Sequence, residues 1–212
     1  MKIKKIGHCC FVAEPKKGVK IMTDPGAFST AQIEEKDISA VIFTHEHQDH
    51  LHVESLKRVF KNNPNAIIIT NTAVGKILSE SGMQYTKIEE GEHYNLSGVD
   101  ISGFGHKHAE IYGDYGQVQN TGYMIDKLCY PGDAFENPNT AVDILALPVA
   151  GPWMRIKDAI DYAKFIKPRI VFPVHDAILS SFASFIPKTI GHFLSEVKID
   201  LKVLELGKEE DL

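Results

Sequence analysis

The segment "AVIFTHEHQDHLH", residues 40–52, constrains the fold of this chain more than any other stretch. "AVIF" is a short apolar run of the kind that crosses an interior as a buried strand, and Val53, Leu56, Val59 and Phe60 recur after it at helical spacing. Between the two lie four of the chain's ten histidines, together with Glu46 and Asp49. A strand-to-helix connection therefore carries a dense set of imidazoles and carboxylates. Imidazole offers a neutral nitrogen to a borderline metal and a carboxylate offers a hard oxygen, so mixed His/Asp sets suit zinc, iron or manganese. His45 and His47, two apart on an extended stretch, can address one ion. Asp49 and His50, where the chain bends into the helix, can address a second. A solvated histidine run or a single structural metal site is the plainer alternative. It fits poorly with a start straight after a buried strand and with further ligand-type residues at strand ends downstream.

Around this segment the order of elements is mixed. "KIKKIG", "CCFVAE" and "VKIMTD" read as strands of an antiparallel meander, and "AIIIT" as a strand leading to a helix over "AVGKILSES" that ends at Gly82. "VDISGFG", "GYMID", "LCYPGD" and "DILALPVA" return to strands, separated by Gly, Asn and Pro. "RIKDAIDYAKFI" is helical, "RIVFPV" a strand, Ile190, Phe193, Leu194 and Val197 one helical face, and "LKVLEL" the last strand. Meanders and strand-helix units in both halves predict two sheets packed face to face with helices outside. With 212 residues and no Pro/Gly/Ser-rich linker or charge run to divide them, residues 1–212 are expected to form a single domain.

Composition narrows the function. A formal net charge of −5 gives no field that draws the chain to nucleic acid or to an acidic membrane, so neither is expected as a partner. No apolar run approaches the roughly 20 residues of a membrane span and "MKIKKIGHCC" lacks a signal-peptide core, which makes the cytoplasm the expected compartment. Cys9, Cys10 and Cys129 have no paired-zinc spacing. Adjacent Cys9 and Cys10 would point to opposite faces of a strand, so reduced core cysteines are expected.

"THEHQDH" matches, position for position, the T-H-x-H-x-D-H signature of the metallo-β-lactamase fold superfamily, and the chain resembles that family over nearly its whole length. The resemblance implies an α/β fold, a four-layer αββα sandwich, and two divalent ions, zinc with manganese or iron as alternatives. Carried over by residue, it implies His45 and His47 plus a distant histidine at the first ion. At the second it implies Asp49 and His50 plus a late histidine, with an aspartate bridging both. "CYPGD" supplies Asp133 as the bridge and "IVFPVHD" supplies His175 as the late histidine. For the third ligand of the first ion "GFGHKHAEIYG" offers His106 and His108, and the family's usual G-H-T-x-G is absent. "KHAEI" resembles the corresponding segment of the branch that includes ascorbate-phosphate lactonase-like proteins, which favours His108 and leaves His106 as a pocket or solvent neighbour.

Two further features resemble that branch. Asp24 in "IMTDPG" resembles a buried aspartate that orients the metal loop through hydrogen bonds, and a turn-initiating Asp before Pro-Gly is an equal alternative. His8 in "IGHCCF" either faces the cleft, where it would meet substrate, or is structural. Trp153 and Arg155 in "LPVAGPWMR" either supply an apolar wall and an anion contact or pack and solvate in the ordinary way. The implied reaction is hydrolysis of a small ester, lactone or phosphoester by a metal-bridging hydroxide, with Asp49 orienting the nucleophile and passing its proton on. A phosphodiesterase or nuclease of the same fold is the alternative, weakened by the acidic composition. A di-iron redox protein is a third, weakened because Glu46 lies between the two histidines and no flavin-domain segment exists.

Overall fold

The computed structural model describes residues Met1–Leu212. In chain order the elements are β1 (Lys2–Lys5), β2 (Phe11–Lys16), β3 (Val19–Thr23), β4 (Ile38–Ile42), α1 (Val53–Asn62), β5 (Ile67–Thr70), α2 (Thr72–Glu80) and β6 (Thr86–Lys87). The second half follows as β7 (His93–Leu96), β8 (Val99–Phe104), β9 (Gly122–Ile125), β10 (Leu128–Tyr130), β11 (Ile144–Pro148), α3 (Ile156–Ile166), β12 (Ile170–Val174), α4 (Phe185–Ser195), β13 (Asp200–Leu201) and β14 (Glu209–Asp211).

Side-chain alternation along the strands builds the layers. In β4 and just beyond it, Ala40 and Ile42 enter one apolar cluster while Val41 and Phe43 enter another. In β11, Ile144 and Ala146 face the first cluster while Leu145 and Leu147 face a third. The first cluster, 22 buried residues with Phe11, Tyr123, Tyr130 and Phe172 among them, is the seam between two sheets. The second holds Leu56 and Val59 of α1 and Val74 and Leu78 of α2, and the third holds Ala159 and Ala163 of α3 and Ile190 and Leu194 of α4. Helices thus cover the outer face of each sheet, giving the αββα sandwich.

Each sheet has seven strands, in the orders β14-β1-β2-β3-β4-β5-β6 and β13-β12-β11-β10-β9-β8-β7. In each, an antiparallel hairpin region passes into a parallel run, β3 to β6 in one and β10 to β13 in the other. All carboxyl ends of a parallel run lie on one edge, the edge where open α/β sheets gather their ligands. Asp24, His45, Asp133 and His175 follow β3, β4, β10 and β12 there.

The end of the chain departs from expectation. "LKVLEL" contributes only its first residue to β13, and Val203 and Leu206 face solvent, 64% and 62% exposed. The last strand is β14, acidic and without apolar alternation, which returns to the first sheet beside β1. Its register sets Glu209 against Lys4 and Asp211 against Lys2, and Lys2 Nζ donates to Glu209 Oε1 at 2.6 Å, so cross-strand charge stands in for hydrophobic pattern. In α4, Ile190 and Leu194 are buried, whereas Phe193, and Val197 just beyond the helix, are exposed. The three cysteines are free and buried, with Cys9 in the seam and Cys10 on the helix side.

Candidate metal centre

The loop after β4 is shaped by Asp24. Its carboxylate accepts from Thr44 N at 2.9 Å, Thr44 Oγ1 at 2.7 Å and Tyr130 Oη at 2.5 Å, and it is fully buried. Three donors, two from Thr44 just beyond β4 and one from Tyr130 of β10, therefore share one anion. Gly26 permits the approach of the 24–27 turn, because a Cβ there would lie 1.9 Å from Asp49 O. Ala27 N then reaches Gln48 O at 2.8 Å, which ties the turn to the histidine loop.

These contacts decide which ring nitrogens are free. His50 Nδ1 lies 2.8 Å from Asp24 Oδ2 and so carries the proton that Asp24 accepts. Thr44 Oγ1 already donates to Asp24, so it accepts from His45 Nδ1 at 3.0 Å. His108 Nδ1 donates to Ala109 O at 2.6 Å. In the neutral form of each ring Nε2 keeps its lone pair, and in all three it is buried without a hydrogen-bond partner, as are both ring nitrogens of His175 and Asp133 Oδ1. An unpaired polar atom in an interior costs about 1–3 kcal/mol, and five residues with such atoms facing one another are matched by a cation.

Asp133 stands at the centre. Gly132, at φ +66°, turns the chain after β10, and Asn120 Oδ1 accepts from Asp133 N at 3.0 Å. Asp133 Oδ1 lies 3.2 Å from His50 Nε2, and Oδ2 lies 2.9 Å from His175 Nε2, 3.4 Å from His108 Nε2 and 4.0 Å from His45 Nε2. His45, His47 and His108 offer ligand atoms within 4.8 Å of one another, and so do His45, His50 and Asp133. Asp49 Oδ2 is 3.5 Å from His175 Nε2 and 3.7 Å from His50 Nε2. The residues present fit the binding of metal cations, with the Asp133 carboxylate amid the imidazoles.

Charge in the cluster follows from these distances. Burial and the neighbouring His50 hold His45 well below the usual imidazole range. Burial opposes the charge of Asp133, but His50 and His175 outweigh it and keep the carboxyl well below the ordinary range; contacts from His175 and His8 do the same for Asp49. Burial alone would lower His175, yet Cys9 and the two aspartates push it up to about 10. Positive charge is favoured at that end of the cluster.

The site opens to a cavity of about 590 Å³ lined by His47, Asp49, His108, Asp133 and His175 together with Gln48, Ile111, Tyr115, Gly116, Pro152 and Trp153. Trp153 is a pocket wall, and its Nε1 also donates to Asp133 Oδ2 at 2.9 Å, a contact the sequence reading did not foresee. Three residues for which the pocket was one of two readings lie elsewhere. Arg155 begins α3 and is 78% exposed, its guanidinium spent on Asp158 at 2.9 Å and 3.1 Å, because the helix start needs the pair as a cap. His106 is 73% exposed and sits 3.6 Å from Glu90, while His108, two residues on in the irregular segment after β8, is 2% exposed and faces Asp133. His8 is fully buried behind Asp49 and lines no part of the cavity. The roles of Thr44, Tyr130 and Asn120 in holding the ligands were missed, and only Thr44, adjacent to the motif, had a sequence signal.

An αββα sandwich with imidazoles and carboxylates converging at the carboxyl ends of its parallel strands defines a metallo-β-lactamase-like protein. A family model described as a Beta-lactamase superfamily domain matches residues 2–175, and the chain belongs to that superfamily. It is 31% identical over 186 residues to Protein Rv0786c of Mycobacterium tuberculosis, which covers 85% of this chain and 86% of the relative. It is 28% identical over 193 residues to the UPF0173 metal-dependent hydrolase Ta0764 of Thermoplasma acidophilum, covering 82% and 83%. In fold it is similar to Igni18, a metallo hydrolase from Ignicoccus hospitalis, with a TM-score of 0.78, 21% identity and coverage of 99% and 97%.

Proposed function

We propose that this metal-dependent hydrolase holds two divalent ions, zinc foremost, and opens a small ester or lactone, with phosphoesters the second choice. The observation that carries the reading is the set of unpartnered Nε2 atoms of His45, His50, His108 and His175 around the Asp133 carboxylate. His45, His47 and His108 would hold one ion, Asp49, His50 and His175 the other, with Asp133 between them. When bound, the ions supply a Lewis acid and an acidified water.

The chain's own groups do the rest. Asp24 and Thr44 hold His50 and His45 in the tautomers that present Nε2. Trp153 donates to Asp133 Oδ2, fixing the carboxylate against rotation. Asp49 turns Oδ2 toward His50 and His175, which leaves Oδ1 to orient the attacking water, take its proton and pass it to the leaving group. Tyr115, Ile111, Pro152 and Trp153 wall the cavity and limit water. Its lining contains no lysine or arginine, and Arg155 is held by Asp158, so a neutral acyl substrate suits it better than one needing a separate anion clamp.

The test is elemental analysis of protein purified without added metal, with the same analysis and a panel of lactones, carboxyl esters and phosphoesters applied to Asp133→Ala. Close to two ions per chain and turnover of an ester or lactone, both lost in the variant, are expected. One ion or none with the fold intact, or full turnover by Asp133→Ala, would overturn the reading.

A further inference from the structure

His8, Cys9, His50 and His175 offer ligand atoms within 4.8 Å of one another and all four are buried, so by residue type alone they resemble a closed four-ligand site. The hydrogen bonds of His8 speak against that. The peptide N–H of Ala177 donates to His8 Nδ1 at 3.1 Å, so this nitrogen must present its lone pair. A neutral imidazole then carries its one proton on Nε2, and a protonated nitrogen binds no metal. His8 Nε2 is buried, has no hydrogen-bond partner, and lies 3.4 Å from Asp49 Oδ2, a few tenths of an ångström beyond ordinary hydrogen-bond length.

We propose that His8 is a positioning residue of the site formed by Asp49, His50 and His175, one that donates from Nε2 to Asp49 and is barred from metal by its own backbone partner. The same residue also fixes His175. His8 O accepts from His175 N at 3.0 Å while its ring accepts from Ala177 N, so backbone and ring together grip residues 175 to 177. His175 needs that grip, because its φ of +58° is a left-handed conformation that costs a non-glycine residue about 1–2 kcal/mol. Lys5 pairs with Asp176 on the same segment, and the rings of His8 and His175 pack at 4.0 Å. Asp49 and His175 come from different sheets, and His8 ties them together. The consequence for metal rests on the two-ion reading above; the tautomer does not.

The experiment is nitrogen-15 NMR of histidine-labelled protein, metal-free and loaded with cadmium-113. His8 is expected to carry its proton on Nε2 in both states and to show no coupling to cadmium, while His50 and His175 show it. A His8 proton on Nδ1, or cadmium coupling at His8, would overturn the proposal. Absence of cadmium coupling anywhere would defeat the two-ion reading instead and leave the tautomer of the metal-free protein to decide this one. In chelator competition His8→Phe, which keeps the ring volume and the main-chain contact, should hold the ion at Asp49, His50 and His175 about 10–100-fold more weakly and leave the ion at His45, His47 and His108 in place. His8→Gln, which restores a donor toward Asp49, should recover part of the loss. Equal retention by wild type and His8→Phe, or equal loss in His8→Phe and His8→Gln, would refute the positioning role.

Discussion

Asp24 binds no member of the cavity, yet it governs the histidine loop, because one buried carboxylate accepts from Thr44 twice, from Tyr130 and from His50. Asp24→Ala would strand those donors in an interior and release the His50 ring to the wrong tautomer. Metal affinity should fall about 10–100-fold in chelator titration, with Asp24→Asn falling less because it still accepts from Thr44. Cys129 illustrates the opposite case, a titratable group made inert. Burial, eased slightly by Tyr162, pushes its thiol up to about 12, far from a reactive thiolate at neutral pH. A thiol reagent at pH 8 should label Cys129 only after denaturant is added, and labelling of the native chain would contradict the packing.

Among the elements, α1 carries the loop's far end and is pinned by few residues. Leu56 and Val59 are fully buried against the first sheet, so Leu56→Ala should lower stability by about 2–5 kcal/mol in urea unfolding, whereas the exposed Lys57→Ala should change little. The start of α2 is held from outside by Glu89, whose carboxylate accepts from Thr72 N and Gln119 Nε2 at 2.8 Å and from Lys87 at 3.3 Å. The Thr72 contact leads in bringing this carboxyl down to about 2 from the ordinary 4.5. A depressed folded-state pKa means the contribution is complete above the unfolded value and disappears as pH falls through the folded one. The stability advantage of wild type over Glu89→Gln should therefore be full above about pH 5 and gone near pH 2. A difference that stays constant over that range would show that the charge of Glu89 is not what holds α2.

For the whole molecule the proposed metal centre would be coupled to the fold, because its candidate ligands come from both sheets: His45 and His50 follow β4 of the first, and Asp133 and His175 follow β10 and β12 of the second. An ion held between them binds the folded chain and not the unfolded one. At a free concentration a hundred times its dissociation constant it would add about 2.7 kcal/mol, so chelation should lower Tm by several degrees and re-addition should restore it. An unchanged Tm on metal removal, with removal verified by elemental analysis, would mean that the sheets are held by the apolar seam alone. No helix is long and apolar enough to cross a membrane.

What the sequence determined by itself were those parts whose signal is local. The β4-to-α1 connection was legible because apolar strand, ligand loop and helical spacing are contiguous, and the two-sheet plan because strands and helices alternate in both halves. His45, His47, Asp49 and His50 could be put forward as candidate ligands for the same reason. The structure decided what depends on groups distant in sequence. His106 and His108 lie two residues apart in an irregular segment after β8, where no strand period assigns a face, and only packing shows which ring reaches Asp133 and which meets water. Arg155 could be read from sequence as an anion contact or as a solvated residue until the start of α3 paired it with Asp158, and β14 carried no apolar pattern because its partner is the charged edge of β1. Tautomers lay beyond the sequence altogether. Which nitrogen of a histidine is free depends on the single acceptor or donor that folding brings to the other, such as Asp24 for His50 or the Ala177 amide for His8.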